Sequence, residues 1–207
     1  MPTHIVEQGE YLAQIAAKYG FRSATAIWEH PSNQALKNQR VNPNVLLPGD
    51  SIFIPEPTQK AVSVTTAKKH VFVVPSEKLL LRLRVRDFDD QPVKNTACTV
   101  QVDGVDHLLQ TNGEGLVELE VPKTAQGGKL SVPSLELELP LKIGHLDPPD
   151  AKSGWVGRLR NLGYLFEADD PAGIAEALEE FQCDNKLKVT GQPDTATQNK
   201  LKELHGC

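Results

Sequence analysis

Carboxylates are the first side chains in this sequence that could do chemistry, because an enzyme that cuts glycan strands needs two of them about 5–10 Å apart across a cleft. Glu10 and Asp50 are the candidates, since both could lie near one groove of the N-terminal segment. No feature of the sequence indicates a raised pKa for either carboxyl group. Ordinary positions in a turn and at a helix end explain both residues without catalysis.

Metal ligands are equally sparse. His205 and Cys207 form one close pair, and His145 and Asp147 form another, but two potential ligands do not make a zinc site. The sequence contains neither an HExxH nor a GxSxG pattern. We therefore predict that the protein is not an enzyme, has no catalytic residues, and binds no metal and no cofactor.

Composition restricts the partners and the compartment. The net charge of −5 argues against nucleic acid, because a phosphate-binding surface needs a basic field. No run approaches about 18 apolar residues, so membrane insertion is not expected. The start lacks a signal peptide and the cysteines, Cys98, Cys183 and Cys207, are scattered, so we expect cytoplasmic synthesis with reduced thiols.

Two polar stretches rich in Pro and Asp divide the chain. Residues 58–69 are predicted to be a linker, and residues 145–153 have the same character. They separate three predicted domains, at 1–57, 70–145 and 150–207, each of a size that small domains can have.

The N-terminal segment has the spacing of a small α+β domain. A strand at 4–7 precedes an amphipathic helix, and Ser23 can cap a second helix that Pro31 ends. A polar loop follows, and residues 47–55 predict a turn and a second strand. The predicted order is strand, helix, helix, strand. The first helix buries Leu12, Ile15, Ala16 and Tyr19 and ends at Gly20.

The other two segments have different periods. Around 79–85 and 117–121, apolar residues alternate with Arg or Glu, and turn signals, Gln126-Gly127-Gly128 among them, bound such runs, which predicts an antiparallel β-sandwich. After residue 150 the helical period returns, with Ser153, Asp170 and Asp194 as predicted helix caps. This predicts a three-helix bundle, and the whole chain is predicted to be α+β and multidomain.

Three motifs give the N-terminal segment its resemblance to LysM domains: the entry at 5–12, the helix end at 15–20, and the Leu-Pro-Gly-Asp-Ser-Ile-Phe-Ile-Pro run at 47–55. Where the family usually has Asp-Thr, this chain has Glu10 and Tyr11. LysM domains bind N-acetylglucosamine-containing glycans between two loops, so the resemblance implies glycan-binding residues here. They are Gly9, Glu10, Tyr11, Leu12, Asn33, Asn44, Val45 and Leu46.

Residues 156–164, 175–182, 187–191 and 193–201 are similar to the three-helix peptidoglycan-binding domain of wall hydrolases. The Asp-Gly turn that this family carries between its first two helices is missing from 165–173. We therefore predict weak or no binding of wall fragments by this domain. The middle segment more loosely resembles Ig- or transthyretin-like modules, which are usually spacers or interaction surfaces.

Two functions stay open. The first is a non-catalytic protein that binds the glycan strands of peptidoglycan through residues 1–57. The second is an adaptor in which the wall-binding folds serve as docking surfaces for a toxin or spike. The arrangement also resembles small proteins of contractile injection systems, type VI secretion among them. That resemblance implies delivery to the periplasm or cell wall without a signal peptide.

Overall fold

The computed structural model describes residues 2–58, 61–72, 78–87, 89, 91–165 and 170–206. Helices and antiparallel sheets are arranged around three separate hydrophobic cores. The predicted α+β, multidomain class is confirmed at this level. We call the parts that surround the cores the N-terminal unit, the middle unit and the C-terminal unit; their cores draw buried residues from 6–54, 85–132 and 155–201.

The N-terminal unit begins and ends with strands that pair with each other. Strand β1 (Thr3–Ile5) lies antiparallel to β2 (Ser51–Phe53). Helix α1 (Leu12–Lys18) and the short α2 (Thr25–Trp28) lie between them in the chain. The apolar face predicted for α1 is confirmed, since Leu12, Ile15 and Ala16 are fully buried in the core.

The loop predicted between α2 and β2 is wrong in part, because it contains a further helix. A 3₁₀ turn at Pro31–Asn33 leads directly into helix α3 (Gln34–Gln39). This helix offers only Leu36 to the core, so the sequence shows no apolar period for it. Pro31, expected only to end a helix, also begins the 3₁₀ turn, where its missing N–H costs nothing.

Two antiparallel sheets share the core of the middle unit. One pairs β3 (Lys78–Arg84) with β6 (Leu116–Pro122), and the other has four strands in the order β5 (Val105–Gln110), β4 (Ala97–Val102), β7 (Gly127–Val132) and β8 (Leu137–Lys142). The predicted alternation in β3 is confirmed: its leucines at 79, 81 and 83 pack on the core. The charged residues face outward, and Arg82 Nε lies 2.7 Å from Glu118 Oε1 across the sheet.

Gly127 and Gly128 were predicted to form a turn, but both lie inside β7. The reason is steric rather than conformational. A side chain at Gly128 would overlap the carbonyl oxygen of Gln101 on the neighbouring strand β4. Glycine is required here so that two backbones can approach each other closely.

The C-terminal unit consists of α4 (Lys152–Asn161), α5 (Pro171–Asp184) and α6 (Thr195–His205). Two of the three predicted caps are confirmed. Asp170 accepts hydrogen bonds from the amides of Ala172 and Gly173, and Asp194 accepts one from Thr197. The first helix begins two residues earlier than predicted, with Ala151 rather than Ser153 at its N-cap.

The predicted linkers differ from each other. All described residues of 58–69 are exposed, as expected for a linker. In the other stretch, Asp147 and Pro148 are buried, and Arg158 Nη1 donates a 2.9 Å hydrogen bond to the Asp147 carbonyl oxygen. We call residues 143–150 the junction segment, because they pack between units instead of linking them loosely.

Cys98 is buried and Cys183 is exposed, and both are free thiols; Cys207 lies outside the described residues. No helix in the described part of the chain combines the length and apolar character needed to cross a membrane.

Candidate functional site

The two loops predicted to form a glycan groove are neighbours in the N-terminal unit. The amide of Leu12 donates a 3.3 Å hydrogen bond to the Pro43 carbonyl oxygen, which ties loop 9–12 to the loop at 43–46. Asn44 and Val45 are half-buried at this boundary. No donor among the described residues reaches Asn44 Oδ1, although that atom is buried, so it could accept a hydrogen bond from a ligand or water.

Three of the predicted groove residues have side chains that the fold itself uses. Leu12 and Leu46 belong to the hydrophobic core. Asn33 is 2% exposed, and its amide donates 2.8 Å hydrogen bonds to the carbonyl oxygens of Ile27 and Phe53. Its Oδ1 also accepts from the Phe53 amide at 2.8 Å. Both amide hydrogens of Asn33 are thus engaged, one with α2 and one with β2, which leaves none for a sugar.

Tyr11 is covered by the middle unit. Its side chain is 2% exposed, and its hydroxyl donates a 2.7 Å hydrogen bond to the Ala125 carbonyl oxygen. A Cβ at Gly144 would lie 2.5 Å from Tyr11 Cδ1 and 2.8 Å from the Gly9 carbonyl oxygen. Burial, helped by the Asp103 carboxylate, raises the pKa of Tyr11 to about 12. Tyr11, predicted to contact glycan, therefore anchors the N-terminal unit to the middle unit.

Further contacts hold the middle unit and the junction segment against the N-terminal unit. The ring of His145 lies over Gly9, where a Cβ would come within 2.7 Å of Nε2. Lys123 Nζ of the middle unit donates to the carbonyl oxygens of Phe21 and Arg22, at 3.2 and 2.9 Å. The loop predicted to bind glycan is accordingly in contact with the chain's own middle unit and junction segment.

Glu10 has a structural environment as well. One carboxylate oxygen accepts from His4 Nε2 at 2.6 Å and from the Glu7 amide at 3.0 Å, and the other lies 3.3 Å from Lys18 Nζ. Burial alone would raise the pKa of Glu10, but the hydrogen bonds from Glu7, His4 and Lys18 outweigh it, so that pKa lies below its ordinary value. Glu10 is thus an ionised acceptor, which is the wrong state for a general acid.

Asp50, the second carboxylate considered, supports the turn before β2. It forms a two-pronged pair with the buried guanidinium of Arg40, at 2.9 and 3.0 Å, and accepts the Leu47 amide at 2.9 Å. The hydrogen bond to Asp50, working against burial, raises the pKa of Arg40. Arg40 also reaches Asp150 of the junction segment at 3.3 Å. The Asp50 carboxylate, considered as a catalytic group in the sequence analysis, therefore stabilises the fold.

A cleft of about 710 Å³ opens between the N-terminal and middle units. Residues 7–10 and the outer face of α1 form one wall; Thr124, Gln126 and His145 form the other. Of the predicted groove residues it includes Gly9 and Glu10, but none of residues 44–46. No sequence pattern indicates this cleft, because its walls are 100 or more positions apart in the chain and each wall is an ordinary polar surface.

Within the C-terminal unit, one buried glutamine organises the loop between α5 and α6. Gln182 is fully buried, and its Nε2 donates to the Gln192 carbonyl oxygen and to the hydroxyls of Thr190 and Thr197, at 2.9–3.1 Å. Its Oε1 accepts the amides of Thr190 and Gly191. Residues 187–191, noted as a motif in the sequence, are therefore shaped by this one side chain.

Most of the loop that was predicted to impair wall binding by the C-terminal unit, residues 166–169, lies outside the described residues. Asp170 at its end serves as a helix cap, as predicted. Trp28 and Trp155 are 9% and 7% exposed, so each packs on a core rather than offering a face to a sugar ring. Among the described residues, no three His, Cys, Asp or Glu side chains come together as metal ligands.

Residues 157–201 match the family described as "Putative peptidoglycan binding domain". The match begins inside α4 and ends inside α6, so it includes the Gln182 network and the caps of α5 and α6. Neither the curated proteins nor the solved structures provide a significant match to the chain. The protein thus contains a peptidoglycan-binding domain in its C-terminal unit, which supports the bacterial cell wall as its partner.

Proposed function

We propose that this protein is a non-catalytic binding protein of bacterial peptidoglycan. The observation that carries the proposal is the family match at 157–201, on a C-terminal unit with its own hydrophobic core and with Asp170 and Asp194 as helix caps. The loop that Gln182 holds is rigid before any ligand arrives, which lowers the entropy lost on binding. This proposal sets aside the expectation that the C-terminal unit has lost its wall binding.

The N-terminal unit is proposed to be a LysM-like domain that contributes glycan contacts. Its element order and the antiparallel pairing of its first and last strands support this, as does the Pro48–Gly49 turn, where Gly49 has φ +94°. The residues left for sugar contact are Gly9, Asn44 and Val45, because the other predicted ones are engaged by the fold. Two weak sites on one polymer would strengthen each other through effective concentration.

The lack of catalysis is part of the proposal. Glu10 is held ionised by three donors, and Asp50 is paired with a buried arginine, so neither has the environment of an acid that gives up a proton to a leaving group. The protein would tether to the wall rather than cut it.

Co-sedimentation tests the function directly. The full-length protein is mixed with purified sacculi and pelleted, and we expect it in the pellet at micromolar concentration and displaced by soluble muropeptides. We also expect no muropeptides released into the supernatant. Protein that stays in the supernatant would show that the wall is not its ligand, and released muropeptides that vanish with Glu10→Gln would show an enzyme.

The burial of Tyr11 against the middle unit favours a second candidate function. A groove loop that already docks onto another unit of the same chain is suited to protein contact, so the chain could be an adaptor for a toxin or spike of a contractile injection system. Titration of the full-length protein with N-acetylglucosamine tetramer, followed by NMR, separates the two. Amide shifts at Gly9, Asn44 and Val45 support the LysM-like groove. If these shifts are absent and the protein also fails to bind sacculi, the adaptor is favoured.

A further inference from the structure

The cleft between the N-terminal and middle units differs from the predicted glycan groove. It lies on the α1 side of loop 9–12, and residues 44–46 take no part in it. Its volume of about 710 Å³ falls within the roughly 300–1,000 Å³ that small-ligand sites occupy. Both units contribute walls, so the site exists only because Tyr11 and Lys123 hold the units together.

Three side-chain amides belong to the polar lining. Gln8 and Gln14 stand on the N-terminal wall and Gln126 on the opposite one. A carboxamide both donates and accepts, which is the hydrogen-bonding pattern of a peptide unit. The Oε1 atom of Gln14 is buried, and no donor among the described residues reaches it. Such an acceptor can take an N–H or O–H from a ligand or a water molecule that enters the cleft.

Charges of both signs flank these amides. Lys18, whose side chain is 57% exposed, supplies an ammonium group, and Glu7 supplies an exposed carboxylate. Glu10 already satisfies its own charge through His4, Lys18 and the Glu7 amide, so it is part of the wall rather than a free anion. A ligand that carries both an amine and a carboxylate would find a partner for each.

The lining also disfavours a sugar. In the described part of the chain, no Trp, Tyr or Phe lines the cleft, so these residues offer no broad apolar ring for the flat face of a pyranose. The apolar contribution comes from Ala17 and the methyl group of Thr124, which suit small side chains such as alanine.

From these contacts we infer that the cleft binds a short peptide bearing both charges, and in the cell wall this chemistry belongs to the stem peptide of peptidoglycan. The inference rests on the proposed function and adds to it a division of labour: peptide in the cleft between units, glycan at the groove and the C-terminal unit. Gln8, Gln14 and Gln126 bind the amide backbone, and Lys18 and Glu7 bind its charged ends.

The test uses the ¹⁵N-labelled full-length protein and a synthetic stem tetrapeptide, L-Ala–γ-D-Glu–meso-diaminopimelate–D-Ala. Gln126→Ala and Lys18→Met each remove one proposed contact, and both side chains are exposed, so the fold is retained. Lys94→Met is the matched control, because Lys94 is an exposed lysine of the middle unit outside the cleft. We expect each cleft variant to bind the peptide about 2- to 12-fold more weakly, and the control to bind like wild type.

Peptide shifts confined to residues 7–18, 124–126 and 145, weakened by the two cleft variants alone, support the inference. A peptide affinity that neither variant changes would overturn it, and so would N-acetylglucosamine tetramer shifting residues 14–18 and 124–126 when the peptide does not. Sacculi that pellet the protein while millimolar peptide fails to bind would overturn the cleft but not wall binding. Peptide that binds in the cleft while sacculi stay unbound would support the cleft and overturn wall binding.

Discussion

The hydroxyl of Tyr11 donates a 2.7 Å hydrogen bond to the carbonyl oxygen of Ala125, which lies 114 positions further along the chain. Both residues are buried, at 2% and 0% exposure. The bond therefore joins two units through a site shielded from water, where an unmet partner is costly.

Replacing Tyr11 with Phe should cost about 1–3 kcal/mol of unfolding free energy, because the Ala125 carbonyl oxygen loses its buried donor. The variant should also change alkaline stability. Since burial raises the pKa of Tyr11 from 10.0 to about 12, its contribution is complete below pH 10 and is lost as pH rises to 12. Urea unfolding at a series of pH values measures both effects. Equal alkaline losses in wild type and Tyr11→Phe would contradict the second.

The two carboxylates that meet Arg40 should differ sharply in importance. Asp50 and Arg40 have side chains 9% and 3% exposed, so Asp50→Asn leaves a buried charge uncompensated and should cost about 3–5 kcal/mol. Asp150 is 68% exposed, so Asp150→Asn should cost less than about 1 kcal/mol. Chemical denaturation of both variants gives the comparison, and similar losses would show that the pair with Asp50 is not the dominant one.

Two glycines provide a test of the middle unit. Gly128→Ala forces a methyl group against the Gln101 carbonyl oxygen and should cost at least about 1–3 kcal/mol. Gly113→Ala meets no atom within 4 Å at the new Cβ, so stability should change by no more than about 1 kcal/mol. Thermal unfolding followed by circular dichroism decides between them. If the two variants melt together, β7 does not lie against β4 as described.

His205 should make stability fall in mild acid. Burial, together with the Arg158 guanidinium, lowers the pKa of His205 from 6.5 to about 4. Below pH 6.5 the unfolded chain takes up a proton that the folded chain refuses, so this contribution is present above 6.5 and is lost as pH falls to 4. Imidazole NMR titration should show a midpoint near 4, and His205→Gln should have a flatter stability profile in this range. A midpoint near 6.5 would contradict the burial.

Local signals in the sequence predicted local structure well. Asp170 and Asp194 specify the starts of α5 and α6 through contacts within one turn. Alternation in β3 specifies which leucines face inward. Helix α3 was not predicted, because a single buried leucine makes no apolar period. This helix is stabilised by packing on a core that other elements form. The same limit applied to Gly127 and Gly128, whose neighbour β4 is far away in sequence.

The candidate site was predicted less completely, for a related reason. Loop positions such as Gly9 and Asn44 could be proposed from a resemblance, since their roles depend on nearby residues. The burial of Tyr11 and the cleft beside it depend on Ala125, Gln126 and His145, which no motif connects to loop 9–12. Contacts between units carry no period and no fixed spacing, so sequence patterns do not report them.

The distance along the chain between Tyr11 and Ala125 also has a consequence for synthesis. A ribosome adding about 5–20 residues per second needs roughly 6–23 s to go from one to the other. From the completion of β2 until Ala125 is made, the N-terminal unit has its own core but lacks the contact with the middle unit, so the Tyr11 ring is exposed to solvent and to other nascent chains. The strand pair β1–β2, complete by Phe53, must therefore hold this unit together on its own before the rest of the protein has been made.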